Sequence, residues 1–264
     1  VDVTTDKDWN QNDDDPNPDP ADDGTDFSND HGTACAGNAA AKGNNSLGVS
    51  GTAPDGTLVG LRLIGGDTTD AMEADALGYL MNNSSVSVTD AIHIKSNSWG
   101  PNDNGRTLEG PGTLTAAALA NAATNGRGGK GTIFLWAGGN GGDAGDNSNY
   151  DGYANSIYTM AIGAVDSLGN RSYYSEPGAN LIVCAPSNGE LGITTVDRTG
   201  SKGYNSASTA NGGDYCDDFG GTSSATPTAA GIVALILQRN PNLGWRDVQE
   251  ILIRSAKKIK SSDP

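Results

Sequence analysis

The chain contains little sulfur and little positive charge. Its 264 residues include three cysteines, and 16 basic residues stand against 32 acidic residues, which gives a net charge of −16. This balance excludes simple electrostatic binding to nucleic acid, because phosphates attract a basic surface. It leaves open whether the acidic residues form a solvated surface or an acidic cleft that attracts basic peptides.

The cysteine count is odd, so at least one thiol is free whatever pairing occurs. Cys35 is expected to be a small buried side chain. Cys184 and Cys216 could form a disulfide bond, and the sequence leaves that pairing open.

Long apolar runs are also missing. No run reaches about 18 apolar residues, so no segment is expected to span a membrane. No linker or repeat of fixed period divides the sequence, and we expect one domain over residues 1–264. Runs typical of strands covered on both faces occur at 58–64, 133–137, 158–165 and 181–184, and helix-like stretches occur at 70–81, 114–124, 224–238 and 249–259. The alternation predicts an α/β fold with a mostly parallel sheet and helices on both faces.

The residues around Ser223 carry the clearest chemical signal. Two glycines precede this serine, and an apolar, helix-favouring run follows it, with Pro227 expected in the first helical turn. At a helix start, unsatisfied backbone N–H groups would stabilise an oxyanion. The pattern predicts a nucleophilic serine, whereas the adjacent Ser224 is expected to be a packing residue.

Two further motifs supply the groups that such a nucleophile needs. His31 precedes Gly-Thr and an alanine-rich segment, which is typical of a catalytic side chain at a helix start. Asn140 lies in a glycine-rich turn after the apolar run 133–137. Serine, histidine and an amide donor are the parts of an acyl-transfer site. The other histidine, His93, lies in an apolar strand pattern and is expected to be structural.

Taken together, these motifs resemble the subtilisin-like serine proteases. Segments similar to the kexin/furin branch, the proprotein convertases and their bacterial relatives, occur at 96–101, 126–129, 149–153, 174–176 and 240–249. The resemblance implies a three-layer subtilisin-like fold and a secreted, extracellular or periplasmic location. It assigns Ser223 as the nucleophile, His31 as the general base and Asn140 as the oxyanion-hole side chain.

The same resemblance implies a pocket for the residue before the cleaved bond. It assigns Asp103 and Asp151 to that pocket, and it counts Ser98, Gly100 and Pro101 among the substrate-binding residues. Two carboxylates in a partly desolvated slot would favour the guanidinium group of arginine, which can bond to both in a fixed geometry. The implied partners are therefore polypeptide substrates with basic residues.

A second pocket, for a basic residue further upstream, is implied for Glu73, Glu109 and Tyr153. Asp67 and Asp70 match acidic positions further out. Asp67, Asp70 and Glu73 also lie at a predicted helix start, where the helix dipole favours acidic residues whatever their function.

Calcium is the cofactor that the resemblance implies. It places Asp103, Asp146 and Glu176 at one site, where like charges would repel unless a cation lay between them. Calcium accepts such oxygen ligands in variable geometry. A first calcium site, in a family-like loop at 43–49, would include Asn45, although Asn45 also suits a tight turn.

One family feature is not found. The family has an aspartate that orients the histidine, at the end of an apolar strand upstream of it. No such run precedes His31, and Asp2 is the one candidate substitute, although no glycine follows it. We therefore expect a catalytic domain that is truncated at both ends and lacks this aspartate. The accessory P domain of the convertases is expected in the full-length protein and not in this chain.

Three functions remain open. The first is a calcium-dependent serine endopeptidase that cleaves after arginine or paired basic residues. The second is a broad-specificity subtilase whose acidic residues are only surface charge. The third is a catalytically inactive peptide-binding fragment, because the orienting aspartate is missing.

Overall fold

A computed structural model describes residues 5–18, 28–81, 91–205 and 212–259, and for residues 28 and 29 it describes the backbone alone. The strands are β1 (Lys7–Asp8), β2 (Leu61–Arg62), β3 (Ile94–Asn97), β4 (Ile133–Ala137), β5 (Thr159–Val165), β6 (Leu181–Pro186), β7 (Ile193–Val196) and β8 (Tyr215–Phe219). The helices are α1 (Ser28–Ala40), α2 (Asp70–Gly78), α3 (Thr113–Gly129), α4 (Thr222–Arg239) and α5 (Trp245–Ser255). None of these helices is both long and apolar enough to cross a bilayer. Asp2 lies outside the described residues.

A parallel sheet in the order β3–β4–β5–β6 forms the centre of the described part. β4 matches its predicted range, and β5 and β6 differ from theirs by one or two residues. The predicted strand at 58–64 is reduced to the two residues of β2, because its ladder partner among the described residues, β1, is equally short.

Helices cover both faces of this sheet. Successive side chains of a strand point to opposite faces, and β4 shows the consequence. Ile133 and Leu135 are buried in a core with α4 and α5, whereas Phe134 and Trp136 are buried in a core with α2 and α3. The predicted α/β architecture with three layers is confirmed.

The end of α2 differs from its predicted range. The helix stops at Gly78, because Tyr79 adopts an extended backbone conformation and a buried ammonium group binds the last carbonyls. Lys95 Nζ donates to the carbonyl oxygens of Ala76 at 2.7 Å, Leu77 at 3.0 Å and Tyr79 at 2.8 Å. A cation at this position complements the negative end of the helix dipole.

The antiparallel pair β7–β8 lies outside the main sheet and packs against α1. Thr195 of β7 donates from Oγ1 to the carbonyl of Ala34 at 2.8 Å. A side chain at Gly37 would overlap Thr195, so glycine permits this close approach. The pair also carries Cys216, which like Cys35 and Cys184 is a free thiol, so the pairing left open above does not form.

Candidate active site

Ser223 is the second residue of α4, and glycines shape the turn before it. Gly221 has φ +74°, in the left-handed region that glycine tolerates, and its N–H donates to Asn188 Oδ1 at 3.1 Å. A side chain at Gly220 would overlap Asn188. The turn therefore presents Ser223 at the helix N-terminus, where the sequence places it.

The carbonyl oxygen of Ser223 connects two other motifs to the start of α4. In a regular helix this oxygen would accept the N–H of residue 227, but Pro227 has none. It instead accepts the Ser98 hydroxyl at 3.0 Å and the Cys35 thiol at 3.5 Å. The expectation that Pro227 lies in the first turn is wrong, since it is the sixth residue of α4. These tertiary contacts replace the hydrogen bond that it removes.

His31 lies in the first turn of α1, beside the Ser223 turn. Cys35, one helical turn later, places its Sγ 3.8 Å from His31 Nδ1. Phe219 packs edge to face against the imidazole, with ring centroids 5.6 Å apart. Burial lowers the pKa of His31, which favours the neutral form that acts as a base.

The Ser223 hydroxyl and the His31 imidazole share neighbours but do not bond to each other within the described residues. Ser223 Oγ donates to the Ser98 carbonyl at 3.5 Å, while the polar contact of His31 is made by Cys35. A hydrogen bond this long is readily exchanged for another one. Catalytic hydrogen bonds often tighten only when substrate is bound.

Asn140 lies between Ser223 and the carboxylates. Its Oδ1 accepts the N–H of Thr222 at 2.7 Å and the Thr222 hydroxyl at 3.0 Å, one residue before Ser223. Its backbone N–H donates to Asp103 Oδ2 at 2.8 Å. These two bonds orient the side-chain amide, whose Nδ2 group is its hydrogen-bond donor and can donate to an oxyanion.

Asp103, Asp146 and Glu176 converge although they are distant in the chain. Their ligand oxygens lie within 4.8 Å of one another. Backbone N–H groups hold the carboxylates in place. Gly105 donates to Asp146 Oδ2 at 2.7 Å, and Gly141 donates to Glu176 Oε1 at 2.9 Å.

These three carboxylates, here called the carboxylate cluster, repel one another. Burial raises the pKa of Glu176 to about 7, and the neighbouring carboxylate charges add to the shift. Burial and the charge of Asp146 also raise the pKa of Asp103. Calcium binds oxygen ligands of this kind, and a cation would relieve the repulsion that disfavours the ionised carboxylates. The residues therefore fit the implied ion.

Asp151 lies against the 98–101 segment, which contains Ser98, Gly100 and Pro101. Its Oδ1 accepts the N–H of Tyr153 at 2.7 Å, and a Cβ at Gly100 would lie 3.0 Å from its Oδ2. Burial raises the pKa of Asp151 to about 6, against two backbone hydrogen bonds that lower it. Binding of a cationic group would favour the ionised carboxylate.

Two of the three residues assigned to the upstream pocket, Glu73 and Tyr153, are in contact. Tyr153 donates its hydroxyl to Glu73 Oε2 at 2.8 Å, and burial, followed by this hydrogen bond, raises the pKa of Tyr153. Glu109 is exposed and pairs through its backbone with the Asp151 region, where its carbonyl accepts the N–H of Gly152 at 2.7 Å. The structure thus joins Glu73 to Tyr153 and leaves Glu109 at the surface.

Two other candidates have local structural roles. The carboxylate of Asp70 accepts the N–H groups of Leu114 at 3.0 Å and Thr115 at 2.9 Å, and these bonds lower its pKa. Asp70 therefore caps the start of α3, while Asp67 is exposed. Asn45 is exposed, and its Oδ1 accepts the N–H of Leu47 at 3.0 Å, the tight turn expected as the alternative to a calcium site.

Sequence reasoning missed two residues that support the site. Asn188 accepts the Tyr174 hydroxyl at 2.6 Å as well as the Gly221 N–H, and no local pattern marks it. Cys35 was expected only to fill space. Its spacing of four from His31 was an available signal, because residues four apart share one face of a helix.

Known proteins are similar to this chain in sequence. The profile of the subtilase family matches residues 2–263. Furin-like protease 1 of Drosophila melanogaster is 43% identical over 257 residues, which are 97% of this chain and 21% of that protein. The dibasic-processing endoprotease of Yarrowia lipolytica is 42% identical over 258 residues, 97% of this chain and 24% of that protein. Proprotein convertase subtilisin/kexin type 7 of Homo sapiens is 43% identical over 252 residues, 94% of this chain and 30% of that protein.

The chain thus spans less than a third of the length of these relatives. They confirm the resemblance to the kexin/furin branch. Among solved structures, the serine protease of Aeromonas sobria has a TM-score of 0.82 at 24% identity, over 98% of this chain and 48% of that one. A cold-adapted subtilisin-like serine proteinase has a TM-score of 0.67 at 23% identity, over 97% and 76%. These likenesses show the fold, and they confirm the subtilisin-like expectation.

Proposed function

The chain belongs to the subtilase family, and we propose that its full-length protein is a calcium-dependent serine endopeptidase that cleaves after arginine or paired basic residues. The observation that carries this proposal is the meeting of distant motifs at Ser223. Ser98 and Cys35 bond to its carbonyl, Asn140 bonds to the residue before it, and His31 contacts Cys35. The relatives named as furin-like and dibasic-processing proteases support the substrate class.

Three groups carry the proposed chemistry. Ser223 Oγ attacks the carbonyl carbon of the scissile bond, and His31 takes the hydroxyl proton. Negative charge then develops on the carbonyl oxygen, where Asn140 Nδ2 and the Ser223 N–H donate. His31 returns the proton to the leaving amine, and water repeats these steps on the acyl enzyme. The lowered pKa of His31 keeps it available as a base at neutral pH.

The carboxylate cluster would hold calcium, which when bound supplies positive charge that offsets the repulsion among the three groups. The cluster also supports the catalytic turn directly. The N–H of Asn140 donates to Asp103, and the N–H of Gly141 donates to Glu176. Fixing these carboxylates would fix the backbone that presents the Asn140 amide.

The substrate preference rests on Asp151 and the neighbouring cluster. The pKa of the half-buried Asp151 carboxyl is about 6, and a bound guanidinium would lower that pKa and favour the ionised form. Arginine remains charged at every relevant pH, so any change of protonation on binding occurs at Asp151 and not on the substrate.

A panel of peptide amides tests this proposal on the full-length gene product. Peptides ending in arginine should be cleaved, a serine-directed covalent reagent should label Ser223, and Ser223→Ala should remove both signals. Equal turnover of apolar peptides would favour the broad-specificity alternative. The absence of both turnover and labelling would favour an inactive peptide-binding protein.

A further inference from the structure

A buried ion pair lies directly beside the general base. Asp30, which precedes His31 in α1, has a fully buried side chain, and its Oδ1 accepts Arg198 Nη1 at 3.0 Å. The Arg198 side chain is only 11% exposed. A pair at this depth gives little net stability, but it restricts geometry because either charge alone would be costly to bury.

Arg198 belongs to a segment, residues 197–205, that is held together by hydrogen bonds, and we call it the clasp segment. Asp197 accepts three backbone N–H groups of this segment, from Arg198 at 2.8 Å, Tyr204 at 3.1 Å and Asn205 at 2.8 Å. Asn205 Nδ2 in turn donates to the carbonyl of Tyr215 in β8 at 2.7 Å. The guanidinium is therefore presented from a fixed base.

The clasp segment reaches His31 by a second route. The Tyr204 ring packs on Phe219 with centroids 5.9 Å apart, and Phe219 packs on His31 with centroids 5.6 Å apart. One route thus holds the first turn of α1 through Asp30, and the other holds the face of the imidazole. Neither route touches Asp151 or the carboxylate cluster.

We propose that Arg198 is a positioning residue for the general base: through Asp30 and the clasp segment it holds the His31 imidazole in the orientation that acyl transfer requires. This inference rests on the proposed function. Misplacing a catalytic group by about 1 Å costs on the order of 100-fold in rate. Losing Arg198 should therefore slow turnover without weakening substrate binding.

The test compares Arg198→Met, Arg198→Lys and a matched control in the full-length protein. Arg198→Met should lower kcat on an arginine peptide roughly 10- to 100-fold with KM within about twofold. Arg198→Lys keeps the charge and should recover much of the loss. Arg254→Met, which removes an exposed arginine paired with Glu250, should leave kcat unchanged.

A double variant, Asp30→Asn with Arg198→Met, separates positioning from charge compensation. Arg198→Met leaves the Asp30 carboxylate buried without the Arg198 cation, which lowers thermal stability, and the double variant should restore that stability. Its kcat should stay low, because the contact through which Arg198 positions His31 is still missing. Recovery of kcat together with stability would overturn the inference, as would a normal kcat in Arg198→Met. Absence of turnover and of Ser223 labelling in the parent protein would instead refute the proposed function.

Discussion

The Ser223 region and the carboxylate cluster lie on either side of Asn140, and they are built from opposite kinds of groups. Around Ser223 the groups in direct contact are neutral, namely hydroxyls, a thiol, an amide and an imidazole whose pKa is lowered by burial, and the charged pair of Asp30 and Arg198 begins one residue before His31. In the cluster the groups are carboxylates with raised pKa values, restrained by backbone N–H groups. Asn140 serves both regions, with its side chain in one and its N–H in the other.

The contrast teaches where each region is sensitive. The neutral groups at the helix starts act through their geometry, so substitutions there should change the catalytic rate. Calcium should have little influence on the size of that change. Clustered carboxylates depend on charge, so pH and cations should act on them first.

The largest effect is expected at the nucleophile. Ser223→Ala should lower kcat by about 10⁶-fold, the order found when a serine protease loses its nucleophile, because no other group can form the acyl enzyme. Ser224→Ala is the matched control, since that hydroxyl is buried against Ser187 at 2.7 Å. It should cost about 1 kcal/mol in the free energy of unfolding and keep turnover. Equal loss of turnover in both variants would contradict the assignment.

Asn140→Ala tests whether the two regions can be separated. Removing an oxyanion-hole donor should lower kcat by about 10²–10³-fold. The contact between Asn140 and Asp103 is made by the backbone N–H, so the variant should keep any stabilisation by calcium. Thermal unfolding with and without calcium gives the comparison. Loss of the calcium effect in Asn140→Ala would show that the regions act as one unit.

Local signals made the Ser223 region predictable. A serine at a helix start and a histidine at another are patterns within a few residues, and the apolar run of β4 defined its strand to the residue. The carboxylate cluster came from the family resemblance alone. No spacing rule would bring Asp103, Asp146 and Glu176 together.

The remaining features depend on long-range contacts. Lys95 ends α2 from a neighbouring strand, and Asp70 caps α3 from the start of another helix. Periodicity within α2 carries no trace of either contact, so its predicted end was three residues too far. Pro227 was misplaced because the first residue of α4 could not be fixed from propensity.

Asp151→Asn tests whether Asp151 acts through its charge or through its shape. The variant keeps the shape but loses the charge, so kcat/KM for arginine peptides should fall roughly 10- to 100-fold. In the parent protein, kcat/KM for these peptides should rise with pH through about 6, as Asp151 loses its proton. That limb should vanish in the variant. A peptide ending in an apolar residue is the control, because it should show only the His31 limb in both proteins.

Calcium should act on the cluster in a pH-dependent way. The pKa of Glu176 is raised to about 7, so the calcium-free folded state binds more protons than the unfolded state and loses stability as pH rises toward 7. Calcium should therefore stabilise more at pH 8 than at pH 5, and at pH 8 a hundredfold excess over its Kd should add about 2.7 kcal/mol to the free energy of unfolding. Asp146→Ala should remove this gain. Asp143→Ala, an exposed carboxylate in the neighbouring turn, should keep it, and equal behaviour of the two variants would count against the site.

The smallest effect is expected at Glu73, which contacts Tyr153 next to the Asp151 turn. Glu73→Gln keeps an acceptor for the Tyr153 hydroxyl, now at 2.8 Å from the carboxylate, and removes only the charge. Partly exposed ion pairs contribute about 0.2–1 kcal/mol, so kcat/KM should fall at most about fivefold for a peptide with an additional upstream arginine. A peptide with alanine at that position should be unaffected, and so should Glu250→Gln, the same change on the exposed face of α5. An equal loss for both peptides would mean that Glu73 acts through its contact with Tyr153 and not through its charge, so that these residues would depend on geometry as the Ser223 region does.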